Sequence, residues 1–333
     1  MTAAIEERPS GQSLTLGDVE AGRPVVFRGL VRDWPAVVAA GRGDDGIAAY
    51  LSQLDRGTDA EVFVAPPGAG GTFFYADDLK GFNFTKQRAT VTGLLRDLSR
   101  IADLADPPAL YMGAAPMGDS LPAFSVENPP PPACEAAVPR LWLGNAVAVQ
   151  THYDLSDNIA CIIAGTRTFT LFPPEQTTNL YVGPLEHTLA GQPVSLAPLD
   201  APDLARFPKF ADALAASASA TLEPGDALYI PPLWWHHVRS HASLNVLVNY
   251  WWRSSRPEAG SPFECLVHAL LSIRDLPDAQ RSAWRSIFDH YVFDAEARDL
   301  SHIPEPARGI LGPLSPTTAS IMRRFIIGSM ARS

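Results

Sequence analysis

The residues best equipped for chemistry are His152 and Asp154, separated by Tyr153, and the pair His236-His237 that follows Trp234-Trp235. On an extended strand, side chains at i and i+2 share a face, so His152 and Asp154 can approach one ion together. A second imidazole from a distant strand completes a set of two histidines and one carboxylate. That set suits non-haem Fe(II) and leaves positions open for a chelating cosubstrate and dioxygen. His236 and His237 point to opposite faces of a strand, and spacing alone leaves either available as the third ligand.

Arg167 is the second informative residue. In Arg167-Thr-Phe-Thr-Leu-Phe172 it shares parity with Phe169 and Leu171, which puts a guanidinium on an apolar face. A buried arginine needs an anion, and its planar fork matches a carboxylate. A small dicarboxylate reaching from the metal to Arg167 accounts for both features. The competing reading is an arginine at a strand end that reaches past the turn at Gly165 into water. Asn158 lies beyond Asp154 with the same parity, and Asn249 ends an apolar strand beside Tyr250-Trp251-Trp252. Amides in such surroundings need partners. A bound keto acid or a neighbouring strand can supply them.

The elements that must position these groups are short strands. Residues 109–112, 140–143, 159–163, 168–172, 227–230 and 244–249 are apolar runs separated by turn residues, the texture of an antiparallel barrel or jelly roll. Gly225-Asp226 to Pro231 reads as a turn, a strand and a stop that delivers Trp234, Trp235 and His236. Upstream, residues 24–28 and 60–65 read as strands, and residues 44–55 and a stripe of Leu94, Leu95, Leu98 and Ile101 read as helices, the second capped by Thr90 or Thr92. Residues 1–12 are polar and expected to be loose. Beyond residue 260 two apolar stripes at helical spacing follow, one of Phe263, Leu266, Val267, Leu270 and Leu271, the other of Trp284, Ile287, Phe288 and Tyr291. Such stripes pack against a partner subunit or the barrel flank. The expected division is a flexible terminus over 1–12, a catalytic domain over 13–255 and a helical dimerisation region over 256–333.

With 46% apolar and 19% charged residues, the 333-residue chain has the balance of a folded globular protein rather than a disordered one. A net charge of −10 with scattered basic residues argues against a nucleic-acid surface, which needs clustered Lys and Arg. Three cysteines without CxxC spacing make neither a disulfide framework nor a thiolate zinc site. The opening residues lack a signal-peptide pattern and no apolar run is long enough to span a bilayer, so the expected address is cytoplasmic with no membrane partner.

Several stretches together resemble one family. They are Thr151-His-Tyr-Asp154, residues 165–176, Asn179-Leu-Tyr181, Arg206-Phe-Pro208, Gly225-Asp-Ala-Leu-Tyr-Ile-Pro231, Trp234-Trp-His-His237, Val248-Asn-Tyr-Trp251 and the opening Pro24 to Pro35. From about residue 20 to 255 the chain resembles the JmjC-type cupin oxygenases, in the cupin-like branch related to the asparaginyl hydroxylase called factor inhibiting HIF. The resemblance implies a double-stranded β-helix with an N-terminal α/β elaboration and C-terminal helices. It implies Fe(II) held by His152, Asp154 and His236, and 2-oxoglutarate held by Tyr111, Asn158, Arg167 and Asn249. It also implies dioxygen as co-reactant, a protein or small-molecule substrate, and homodimerisation through the C-terminal helices. Arg167 stands where relatives carry lysine and Val149 where they carry a hydroxyl residue, which implies a shifted or weaker hold on the keto acid. The alternative is a metal-binding cupin without 2-oxoglutarate turnover: a small-molecule sensor, an isomerase or a cosubstrate-independent dioxygenase.

Overall fold

In the computed structural model, which describes residues 4–295 and 299–331, the apolar runs fold as strands within a set of thirteen. The first seven are β1 (Glu6–Arg8), β2 (Val25–Phe27), β3 (Ala60–Ala65), β4 (Thr85–Ala89), β5 (Ala109–Pro116), β6 (Pro139–Gly144) and β7 (Ala148–His152). The other six are β8 (Asp157–Ala164), β9 (Arg167–Phe172), β10 (Ala218–Leu222), β11 (Ala227–Ile230), β12 (Trp235–Ser240) and β13 (Asn245–Trp252). They make a nine-stranded sheet, β1-β2-β11-β8-β13-β6-β5-β3-β4, and a four-stranded sheet, β10-β9-β12-β7. Pairing is antiparallel apart from β1 with β2.

This is a double-stranded β-helix, with the two sheets packed face to face. Ala160 and Ile162 of β8, Ile230 of β11 and Leu247 of β13 meet Phe169 and Leu171 of β9 and Val238 of β12 in one apolar layer. The other face of the large sheet is covered by helices. Ile47 and Leu51 from the helix Asp44–Leu54, and Leu94 and Leu98 from the helix Val91–Ile101, pack on Leu141, Cys161, Ile163 and Val248. Strand β8 is therefore buried on both faces along its whole length, which is why its sequence from Ile159 onward is continuously apolar rather than alternating. The helix Val91–Ile101 starts at Thr90, whose hydroxyl accepts from the Gly93 amide.

The corner from β8 to β9 fixes where Arg167 points. Gly165 sits there at φ +71, and a Cβ would lie 2.3 Å from Asn245 Oδ1 and 2.8 Å from Leu244 O, so only glycine fits. Arg167 is the first strand residue after it.

The chain divides into two compact units, one ending at residue 253 and the other beginning at residue 254. The second unit contains helices Pro262–Ser272, Asp278–Phe288 and Pro316–Met330. Among the described residues, no helix is long and apolar enough to cross a membrane. The loose terminus expected over 1–12 is corrected where it is described. Ile5 is buried and Glu6–Arg8 pair in parallel with β2, because Ile5 finds the apolar layer and Arg8 forms an ion pair with the half-capping Asp18. Residues 1–3 lie outside the described residues. Strands β4 and β10 have no apolar run and were not expected; each is an outer strand of its sheet, with exposed polar side chains.

Candidate metal centre

Antiparallel pairing of β12 with β7 sets His236 directly opposite His152. Strand β7 ends at His152, so Asp154 projects from the extended segment just beyond it rather than from the strand itself. The amide of Leu233, a residue at φ +67, donates to the Asp154 carbonyl at 2.8 Å and latches that segment to the turn before β12. One ligand atom from each of His152, Asp154 and His236 lies within 4.8 Å of the others. His236 Nε2 is 3.7 Å from Asp154 Oδ2, and the two imidazole centroids are 4.2 Å apart.

The imidazoles are oriented by the backbone. His152 Nδ1 lies 2.7 Å from the Gln150 carbonyl and His236 Nδ1 lies 3.0 Å from the Trp234 carbonyl. A carbonyl only accepts, so Nδ1 of each ring carries the proton and Nε2 presents a lone pair to the cluster. Burial, with His152 beside it, pushes the His236 pKa down to about 4 and keeps that ring neutral at physiological pH. Two imidazole nitrogens and a carboxylate group, preset around a common point, are a donor set for a divalent metal. His237 faces away, with Nε2 at 3.9 Å from Asp200, and is not part of the cluster.

The carboxylate is held by a chain of polar side chains. Asp154 Oδ2 accepts from Trp251 Nε1 at 3.2 Å and from Asn158 Nδ2 at 3.5 Å. Asn249 Nδ2 donates to Asn158 Oδ1 at 2.9 Å, and Trp142 Nε1 donates to Asn249 Oδ1 at 2.7 Å. Asn158 and Asn249 are thus bonded to each other, and their free capacity faces the cavity they line. The two indoles were visible in the sequence only as aromatic residues; nothing local to Trp142 or Trp251 signals a bond toward a metal ligand.

Two connected spaces meet at the cluster. The inner one, about 40 Å³, brings Tyr111, Asn158, Arg167 and Asn249 together with the three ligand residues. Arg167 is 1% exposed; its Nη2 donates to the Trp142 carbonyl at 3.3 Å while Nε has no partner. Among the described residues no carboxylate pairs with it. Burial lowers its pKa against the counteracting Tyr111 hydroxyl, and burial raises that of Tyr111. Val149 lines the same space. The outer space, about 280 Å³, shares Tyr111, Trp142, His152, Asp154 and Trp251 and extends to Glu61 and Lys86.

A β-helix with two imidazoles and a carboxylate at the mouth between its sheets defines a cupin with an oxygenase-type centre. Comparison with known families gives the same assignment: residues 18–258 match the cupin-like domain, and the chain belongs to that family, in its JmjC-type branch. It is 29% identical over 260 residues to the bifunctional peptidase and (3S)-lysyl hydroxylase JMJD7 of Homo sapiens, covering 69% of this chain and 77% of the relative. It is 36% identical over 115 residues to the lysine-specific demethylase JMJ31 of Arabidopsis thaliana, covering 34% of this chain and 20% of that protein. It is also 32% identical over 159 residues to the tRNA wybutosine-synthesizing protein 5 of Homo sapiens, covering 47% of this chain and 43% of that one. The chain thus spans a fifth of the plant relative and under half of the tRNA-modifying one.

Proposed function

We propose that this protein is an Fe(II)- and 2-oxoglutarate-dependent oxygenase that hydroxylates a protein side chain or a small molecule and releases succinate and CO₂. The observation that carries this reading is the juxtaposition in one cavity of the metal-type cluster with a buried, anion-less Arg167. His152, Asp154 and His236 would hold the metal, and Arg167 would receive the distal carboxylate of the keto acid, with Tyr111, Asn158 and Asn249 around its body. Arginine replaces lysine there without loss of charge and offers a bidentate fork. Bound iron, with dioxygen and the keto acid, supplies the oxidising power for C–H hydroxylation. The protein holds the ligand set, keeps the inner space dry with Ala160, Phe169, Ile230 and Leu247, and leaves the outer space for the prime substrate.

The names of the relatives point to lysyl hydroxylation, lysine demethylation and tRNA modification. The net charge of −10 weighs against a polyanionic substrate and for a peptide or a small molecule. We also propose that the protein is a homodimer. Leu266, Val267 and Leu271 of one helix and Trp284 and Ile287 of the next are 42–75% exposed, and apolar side chains in that number on neighbouring helices suit a second copy of the chain. A sedimentation mass of one chain would refute the dimer.

The test of the activity is an anaerobic titration of metal-free protein with Fe(II) and then 2-oxoglutarate, beside His236→Ala, followed by succinate assay in air. A charge-transfer absorption that requires both additions and is lost in the variant, with succinate formed in air, is the expected result. Iron binding without any response to 2-oxoglutarate overturns the cosubstrate and leaves Arg167 as an anchor for some other anion.

A further inference from the structure

The side chain of Gln150 has no part in the functions assigned above, yet its setting is unusual. It lies on β7 two residues before His152, is 5% exposed, and lines the outer space beside the metal cluster. Its Oε1 is sealed from solvent and has no hydrogen-bond partner. Buried amides are nearly always paired, so an unpaired one on the wall of a cavity is incomplete until something enters.

The backbone places it there deliberately. Across the β7–β12 pair, His236 is opposite His152 but Val238 is opposite Val149. Two steps on β12 therefore face three on β7, and the extra residue falls at Gln150–Thr151. Alternation alone puts Gln150 on the face of His152, and the bulge lets its neighbour Val149 line the outer space as well. The Gln150 carbonyl holds His152 Nδ1, so the strand segment that orients a metal ligand also presents the amide.

Charge narrows what can pair with it. Apart from the metal-cluster residues, the charged side chains lining the outer space are Glu61 and Lys86. They neutralise each other at 3.1 Å, and the Lys86 ammonium lies 4.9 Å from the centre of the Phe63 ring. A cation or a carboxylate entering this space meets no free counter-charge near Gln150, and desolvating it there is unfavourable. A cation offers only donors and a carboxylate only acceptors, whereas an amide offers both and matches the glutamine amide reciprocally.

We infer that Gln150 is a specificity-determining residue that pairs with an uncharged amide on the prime substrate, a carboxamide or a peptide group, and so aims the adjoining C–H bond at the metal cluster. This rests on the oxygenase reading above.

The test uses full-length protein loaded with Mn(II), which does not turn over, and ligand-observed NMR line broadening by the metal. The probes are butyramide, its near-isostere 2-pentanone, and n-butylammonium, with 2-oxoglutarate as the control. Wild type is expected to bind butyramide about five- to tenfold more tightly than either rival, the effect of one well-made hydrogen bond. Gln150→Leu should erase that preference. Gln150→Glu should transfer it to n-butylammonium, which keeps the inference testable if the leucine variant does not fold. Equal binding of the three probes to wild type, or a preference for butyramide that survives both substitutions, overturns it. If Mn(II) fails to broaden 2-oxoglutarate itself, the oxygenase reading fails and this inference with it; broadened 2-oxoglutarate with indifferent probes condemns the role of Gln150 alone.

Discussion

Arg167→Met should make the protein more stable and less functional at once. Arg167 is 1% exposed, donates to the Trp142 carbonyl at 3.3 Å, is in hydrogen-bonding contact with the Tyr111 hydroxyl, and leaves Nε unpaired. Burying a guanidinium without a counter-ion costs several kcal/mol, and replacing buried ionic groups by apolar ones of similar volume commonly stabilises by about 1–4 kcal/mol. Met keeps most of the volume and joins Phe169 and Leu247 in the apolar wall. Subtracting about 1 kcal/mol for the lost hydrogen bonds leaves a gain of about 2 kcal/mol, or about 4–8 °C in Tm for a unit of this size. The assay is thermal unfolding of metal-free protein, repeated with Mn(II) and 2-oxoglutarate. Saturating 2-oxoglutarate at a hundredfold over Kd should add about 2.7 kcal/mol to wild type and nothing to the variant, so the order of stability reverses. A variant that unfolds at lower temperature without ligands would refute the reasoning. It would mean that Arg167 is a satisfied structural residue rather than a cation awaiting an anion.

Three further outcomes are expected. Because His236 is neutral when folded down to about pH 4 but takes a proton below about 6.5 when unfolded, stability of the metal-free protein should be full above pH 6.5 and fall as pH drops toward 4. His236 accounts for about 2 kcal/mol of the loss between pH 7 and 5 by urea denaturation; His236→Gln should remove that share and leave the one from His237, whose pKa burial also lowers to about 4, and equal wild-type stability at both pH values would contradict the assignment. Trp251→Phe removes the indole N–H that Asp154 accepts. Metal affinity should fall about tenfold or more by Mn(II) titration, and unchanged affinity would show that this bond does not orient the carboxylate. Gly165→Ala must drive a Cβ into Asn245 and Leu244 at φ +71. It should cost at least about 2 kcal/mol in denaturant unfolding, a cost that a wild-type midpoint would disprove.

Periodicity made most of the barrel legible. β11 lies at 227–230 and β9 at 167–172, each within a residue of its apolar run, and the parity of Phe169 and Leu171 anticipated the burial of Arg167. The outer strands β4 and β10 were not legible: β4 is exposed and held by backbone pairing, and β10 buries only Ala220 and Leu222, too short an alternation to stand out. The bonds among Asn158, Asn249 and Trp142 depend on the register of β13 against β8 and β6, a long-range quantity with no local trace. Parity with His152 places Gln150 on the face of the site, but that its amide oxygen stays unpaired depends on packing from distant elements and has no local trace.

Of the three proposed metal ligands, His236 lies far from His152 and Asp154 in the chain and reaches His152 only when β12 has slotted between β9 and β7. A chain still being synthesised, or one cut before residue 236, owns at most the weak local chelate of His152 and Asp154. Tight metal capture is then a signature of completed topology. Holding the ion certifies that the two sheets have closed, and a half-folded chain has little means of arming oxidative chemistry before a substrate cavity exists to contain it.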